Sequence, residues 1–289
     1  MSDQSNAMYW SVKRELWESR SIYAAPLAVA GLILFGFLIS TIHLPDKIRA
    51  ASALSQMQQH ELIGQPYSFA ELLLMATTFV VGVFYCLDAL HGERRDRSIL
   101  FWKSLPVSDL TTVLSKASIP LVVLPLLTFA ITVTTQGIML LLSTVVLMGS
   151  GLSVATLSTH LSLFPMSLML LYHLLTVHAL WYAPIYGWLL LVSGWARRAV
   201  ILWAALPLVA ITIVEKIAFN TSHFAAMLAS RLSGGSESGD FTAGIISMDP
   251  LTQLTPGKFL SSPGLWIGLA ITAGFLAAAV RLRRYREPI

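Results

Sequence analysis

Between Lys116 and Arg197 the chain has no aspartate, glutamate, lysine or arginine, a run of 80 uncharged residues. Over all 289 residues only 12% are charged, where an average soluble domain carries about 25%. That shortage argues against an ordinary water-soluble fold and suits a chain dissolved mostly in lipid. A single cysteine, Cys86, excludes an internal disulfide and a cysteine-based metal site. The first residues also lack the short apolar core and small-residue cleavage site of a secretory signal. Instead Ile22 to Ile42 runs for 21 residues without a charge, enough at about 1.5 Å each to cross a hydrocarbon layer of ~30 Å.

What is present is a series of such runs. The uncharged 80-residue stretch would be about 120 Å long as one helix, so it must turn back within the membrane protein. The Gly/Ser/Thr-rich segment 148–160 is the place for that turn. The predicted spans are 22–42, 71–90, 118–147, 163–193, 200–218 and 263–280, in a single transmembrane domain covering 1–289. The fold class is therefore an all-α polytopic membrane protein with six transmembrane helices, both termini on one side, and an outer loop at 219–262. Basic residues choose the side. They cluster before the first span (Lys13, Arg14, Arg20), in the 91–117 loop, at Arg197 and Arg198, and in the tail from Arg281 to Arg286. The positive-inside tendency then makes both termini cytoplasmic. The same clustering between apolar runs gives the net charge of +4 no nucleic-acid reading.

Two polar segments are candidates for work. In 8–20, Tyr9, Trp10, Val12, Leu16 and Trp17 share one broad arc of a helix, with Ser11, Arg14, Glu15 and Glu18 opposite. This predicts a helix lying in the membrane interface, anchored by the indoles of Trp10 and Trp17. The loop 91–116 places charges first, then Ile99, Leu100, Phe101 and Trp102, then Pro106, which ends a short helix. It reads either as a helix presented to a cytoplasmic partner or as a solvated positive-inside loop.

Motifs for chemistry are incomplete. Leu232-Ser233-Gly234-Gly235-Ser236 nearly spells the LSGGQ signature of transporter ATPases, but it falls in the outer loop and reads as a flexible linker. A P-loop is missing, because Gly257-Lys258 has Thr252 and Phe259 where glycine and Ser/Thr are needed. His60-Glu61 begins an H-E-x-x-H zinc motif that Gly64 leaves unfinished. His173 and His178, about 140° apart on an α-helix, are read as packing residues rather than metal ligands. Glu215 and Lys216, near the outer end of the fifth span, belong either to a pathway or subunit interface or to simple snorkelling. Gly264 and Gly268 permit close helix approach within one subunit or between two. No catalytic or metal residue is assigned.

Glu93-Arg94, Ser98, Ser104-Leu105-Pro106-Val107-Ser108 and Lys116, just after the second span, resemble the permease subunits of ABC-2 type transporters. So does the ending, with Ser262-Pro263, Leu265-Trp266, Gly268 and the terminal arginines. The resemblance covers essentially the whole chain through its six-span plan. It implies a pair of permeases, a second copy or a related chain, each resting on a separate cytoplasmic ATPase subunit that carries ATP and Mg. It implies a coupling segment using Glu93, Arg94, Arg95, Asp96, Arg97, Phe101 and Trp102. It also implies export across a bacterial inner membrane, with no cofactor and no enzyme activity in this chain. The alternatives are a secondary transporter and a membrane sensor or anchor that moves nothing.

Overall fold

The computed structural model describes residues 2–51, 54–98, 107–152, 161, 163–234 and 256–285. Among them every regular element is helical, and six helices are long and apolar enough to cross a membrane. Helices overlap each of the six expected stretches, with ends that differ from those expected. Helix α1 (Ser2–Glu18) precedes α2 (Ser21–Ser40), which passes through a 3-10 turn into α3 (Leu44–Ala51).

Helix α4 (Gln56–Ala89) starts 15 residues before the expected second span. At 34 residues it is about 51 Å long, so its polar first turns extend beyond the hydrocarbon. Ser55 and Gln58 close a capping box at its start, which satisfies two of the free N–H groups there. Helix α5 (His91–Arg95) follows almost directly.

The third span joins α6 (Asp109–Ser118) and α7 (Leu124–Gly149) through a π turn at Ile119–Val123. Pro120 lies in that turn and Pro125 just after it, and a proline removes a backbone donor that the wider turn accommodates. Helix α7 stops at Gly151, whose φ is +70°. The N–H of Leu152 donates to the Leu147 carbonyl and that of Gly151 to Met148, the two bonds of a Schellman stop. The expected turn thus begins where the sequence places it, while residues 153–160 lie outside the described residues.

The fourth span is α8 (Leu163–His173), a π segment (Leu174–Trp181) and α9 (Ala183–Trp195). Then come α10 (Val200–Phe219), α11 (His223–Leu232), α12 (Pro256–Leu260) and α13 (Pro263–Tyr285).

Helix α4 runs through the middle of the bundle, against α2, α7 and α9. Glycines set close approaches of α4 to α9 and of α9 to α13. A Cβ at Gly82 would stand 3.0 Å from the Tyr186 ring, and one at Gly187 would stand 3.3 Å from Thr272 of α13. By contrast α10 stands off the bundle with only Ala204 buried. It is held by Trp188, whose Nε1 donates to the Ala204 carbonyl, and by an edge contact of Trp195 with Trp203. Both α1 and α13 pack on α6, so both ends of the chain meet at one end of the bundle, called here the terminal end. Replacing Gly187 by Leu should destabilise the detergent-solubilised protein by about 1–3 kcal/mol through overpacking. Gly274→Leu, whose Cβ meets open space, should leave thermal unfolding unchanged or raise its midpoint.

Candidate functional site

At the terminal end six charged side chains are buried or half-buried together. Lys116 of α6 and Glu15 of α1 are each only 2% exposed, and the ammonium lies 3.0 Å from both Glu15 oxygens. The same ammonium reaches Glu93 of α5 at 3.1 Å. The other Glu93 oxygen accepts from Arg283 of α13, and Arg283 Nε donates to Asp109 at 3.1 Å. Arg14 joins Glu15 and Glu93, and the Tyr85 hydroxyl of α4 donates to Glu15 at 2.8 Å. Three cations face three carboxylates, so the cluster is neutral as a whole. Taking a charge from water costs several kcal/mol, and only partners arranged like these offset it. Four helices, α1, α5, α6 and α13, therefore share one ionic joint, to which α4 adds the Tyr85 hydroxyl.

The joint explains the odd placement of α1. Its polar side faces protein: Ser11 is 7% exposed and Glu15 2%. Its aromatic side faces out, with Trp10 58% and Trp17 66% exposed. The Lys13 ammonium sits about 5 Å from each indole centroid, in cation–π range. An interfacial helix normally buries its apolar arc in lipid and leaves its polar arc to water. Here the polar arc is taken by the bundle. Burial alone would raise the Glu15 carboxyl, but Lys116 and Arg14 together hold it below its ordinary value of 4.5.

The segment expected to couple to a partner divides in two. Glu93 and Arg94 point inward, at 7% and 4% exposure. Arg94 donates to the Gly194 carbonyl at 2.8 Å and to Ala196 at 3.2 Å, where a cation favourably meets the end of α9. Beside it, Ser193 Oγ accepts from the N–H groups of Leu90 and His91. Arg95 and Asp96 are exposed and pair with each other, and Arg97 ends the turn with a φ of +58°. Phe101 and Trp102 lie outside the described residues, as do Pro106 and the residues after Gly234 in the linker.

A second polar group lies within the membrane-spanning part. Glu71 of α4, 1% exposed, accepts from the Gln136 amide of α7 at 3.3 Å. The Thr78 and Thr128 hydroxyls meet one turn or two further along, and His178 bonds the Met75 carbonyl at 3.2 Å. Glu71 is 18 residues before the end of α4, about 27 Å along the helix. It is thus buried in the bundle close to the far edge of a hydrocarbon layer of ~30 Å, where the expected second span begins. The span boundary drawn at residue 71 concealed it. His173 and His178 also come together, with ring centroids 6.0 Å apart. The π segment between them brings residues five apart onto one side, where an α-helix would separate them. No group of three or more possible metal ligands occurs among the described residues.

At the opposite end, Glu215 accepts from Thr221 and from the N–H groups of His223 and Phe224. It caps α11, a role the sequence reading did not consider; Lys216 is exposed. Arg231 of α11 lies over the Trp181 ring at 4.1 Å and donates to the carbonyls of Trp181 and Gly264. A Cβ at Gly268 would stand 2.6 Å from that guanidinium, so Gly264 and Gly268 serve contacts within this chain.

With the geometry in view, comparison with known proteins gives no relative: no family model matches the chain, and no curated protein or solved structure matches it.

Lys116→Met leaves Glu15 and Glu93 facing each other and should cost about 3–5 kcal/mol, as removal of one partner of a buried pair does. The double variant Lys116→Met/Glu15→Gln should cost clearly less than the sum of the single ones in thermal unfolding. The pH dependence has a fixed sign. A carboxyl lowered on folding contributes stability that is complete above its ordinary value of 4.5 and is lost as pH falls below it. The protection of α1 amides relative to their intrinsic exchange rates should therefore fall on acidification, and Glu15→Gln should remove that dependence.

Proposed function

We propose that this multi-pass membrane protein is the permease subunit of an ATP-binding cassette transporter. It forms the translocation pathway and is driven by a separate ATPase subunit that supplies ATP and Mg. The observation that carries the reading is the ionic joint. Residues 91–95, the turn after the second span, are bonded through Glu93 to α1, α6 and α13, and through Arg94 to the end of α9. A displacement of that turn by a partner would move four spans and the interfacial helix together. An anchor or passive sensor has no use for such a linkage.

In this reading the terminal end faces the cytoplasm of a bacterial inner membrane, where the basic clusters belong. Two permeases pair, the cargo is exported, and the chain itself hydrolyses nothing. ATP-driven closure shifts the populations of inward-open and outward-open states because the ATPase contacts them differently. Glu93 and Arg94 hold the turn in place, while exposed Arg95, Asp96 and Arg97 meet the ATPase with Phe101 and Trp102.

The buried Glu71–Gln136 pair supports a second reading, a secondary transporter in which that carboxyl exchanges a proton. Intramembrane ionisable groups often mark such pathways. The first reading is preferred because the larger and better connected charge assembly stands at the end where a soluble partner would push.

Charge reversal at the exposed pair, Arg95→Glu with Arg97→Glu, should lower recovery of the ATPase subunit at least several-fold on affinity purification. Membrane insertion and α1 protection should stay intact. Unchanged recovery would move the contact away from this turn. Arg94→Glu should instead lower the stability of the permease itself, because it reverses charge against the carbonyls of α9.

A further inference from the structure

Away from the terminal end, α2 and α4 do not close on each other. They leave an apolar groove of about 510 Å³ open to the bilayer, walled by Val29, Leu32, Ile33 and Gly36 of α2 and by Phe69 and Leu73 of α4. The four α2 residues recur at i, i+3, i+4 and i+7, one face of a helix. A Cβ placed on Gly36 meets nothing within 4 Å, so the groove floor is open there.

A second cavity of about 230 Å³ adjoins the groove under α3 and shares Phe37, Ser40 and Pro66 with it. Its lining is still mostly apolar, with Phe37, Leu44, Ile48 and Ile63, but polar side chains join it. Thr41, Lys47, Gln65, Tyr67 and Ser143 line it with Ser40. Tyr67 and Ser143 are buried inside the bundle and share a hydroxyl contact of 3.3 Å, which leaves one of the two O–H groups to donate elsewhere. Lys47 has no carboxylate partner among the described residues, unlike Arg49, which pairs with Asp46. Pro66 lacks the N–H that would satisfy the Leu62 carbonyl one turn earlier, and Leu62 also lines this cavity.

An apolar trough adjoining a cavity that is lined by a lysine without a carboxylate partner and by the hydroxyls of Ser40, Tyr67 and Ser143 is complementary to one kind of occupant. We propose that it binds an anionic phospholipid from the leaflet away from the termini. One acyl chain lies along α2 from Val29 to Ser40, about 16 Å. The phosphate pairs with Lys47, and a headgroup hydroxyl donates to the Leu62 carbonyl. Phosphatidylglycerol has these groups, and phosphatidylcholine has neither the net charge nor the hydroxyl. A lipid merely coating the protein needs no chamber inside the bundle and gains nothing from a lysine at its end. The site stands whether or not an ATPase drives the chain.

The test is native mass spectrometry of the full-length protein in mild detergent, titrated with equal amounts of phosphatidylglycerol and phosphatidylcholine. One phosphatidylglycerol should be retained about tenfold in preference. Gly36→Leu fills the groove without meeting protein and should reduce that retention about tenfold, with thermal unfolding unchanged. Lys47→Ala should reduce the preference for phosphatidylglycerol to near one. Equal retention by Gly36→Leu would overturn the groove as the seat of the acyl chain. A preference that survives Lys47→Ala would overturn the recognition of the anionic head.

Discussion

Charge is expensive to bury, and Lys116 is almost completely buried with Glu15 and Glu93 around it. None of these residues is tolerable alone at that depth. Each requires the others, and the others come from α1, α5, α6 and α13. The joint therefore dictates how the terminal end assembles: α1 must lie with its polar side inward, the second span must end in a tight turn, and the last span must reach far enough to deliver Arg283. Geometry elsewhere is softer. Helix α10 is fixed by little more than Trp188 and the Trp195–Trp203 contact, and its apolar sides belong to lipid.

The two ends of the bundle are built on different physics. At the terminal end, ion pairs join separate helices. At the other end, side chains bond backbone: Glu215 caps α11, and Arg231 reaches the carbonyls of Trp181 and Gly264. Between them lies the polar seam of α4 and α7, from Tyr67 and Ser143 through Glu71 and Gln136 to Thr78 and Thr128. A movement of the turn after the second span would pull on α4, and hence on every one of these contacts. In the proposed reading, this is the route by which a push at the terminal end would reach the seam and the α2–α4 groove.

The helical class and the six spans were legible because long uncharged runs leave the chain little choice. The stop at Gly151 was legible for a similar reason, since glycine accepts its positive φ without strain. Helix ends were less so. The start of α4 is polar, and the sequence shows no boundary between a helix in water and its continuation in lipid. The orientation of α1 was legible as an amphipathic pattern, with Trp10 and Trp17 outward. That its polar arc docks on protein depends on Lys116, 101 residues from Glu15, and on Glu93, 79 residues from Arg14. Glu93 and Arg94 read as loop charges because their partners are equally remote. The meeting of His173 with His178 needed the π segment, a backbone feature with no residue signature. The cap at Glu215 had a local signal: an acid six residues before Thr221 and a following helix.

The account depends most on the existence of a partner that pushes on the turn at 91–97. The direct measurement is purification of the tagged chain from its native cells in mild detergent, with mass spectrometry of the proteins that accompany it. The account predicts a stoichiometric soluble subunit carrying a P-loop and a complete LSGGQ signature. A chain recovered alone, reproducibly and in several detergents, would contradict it.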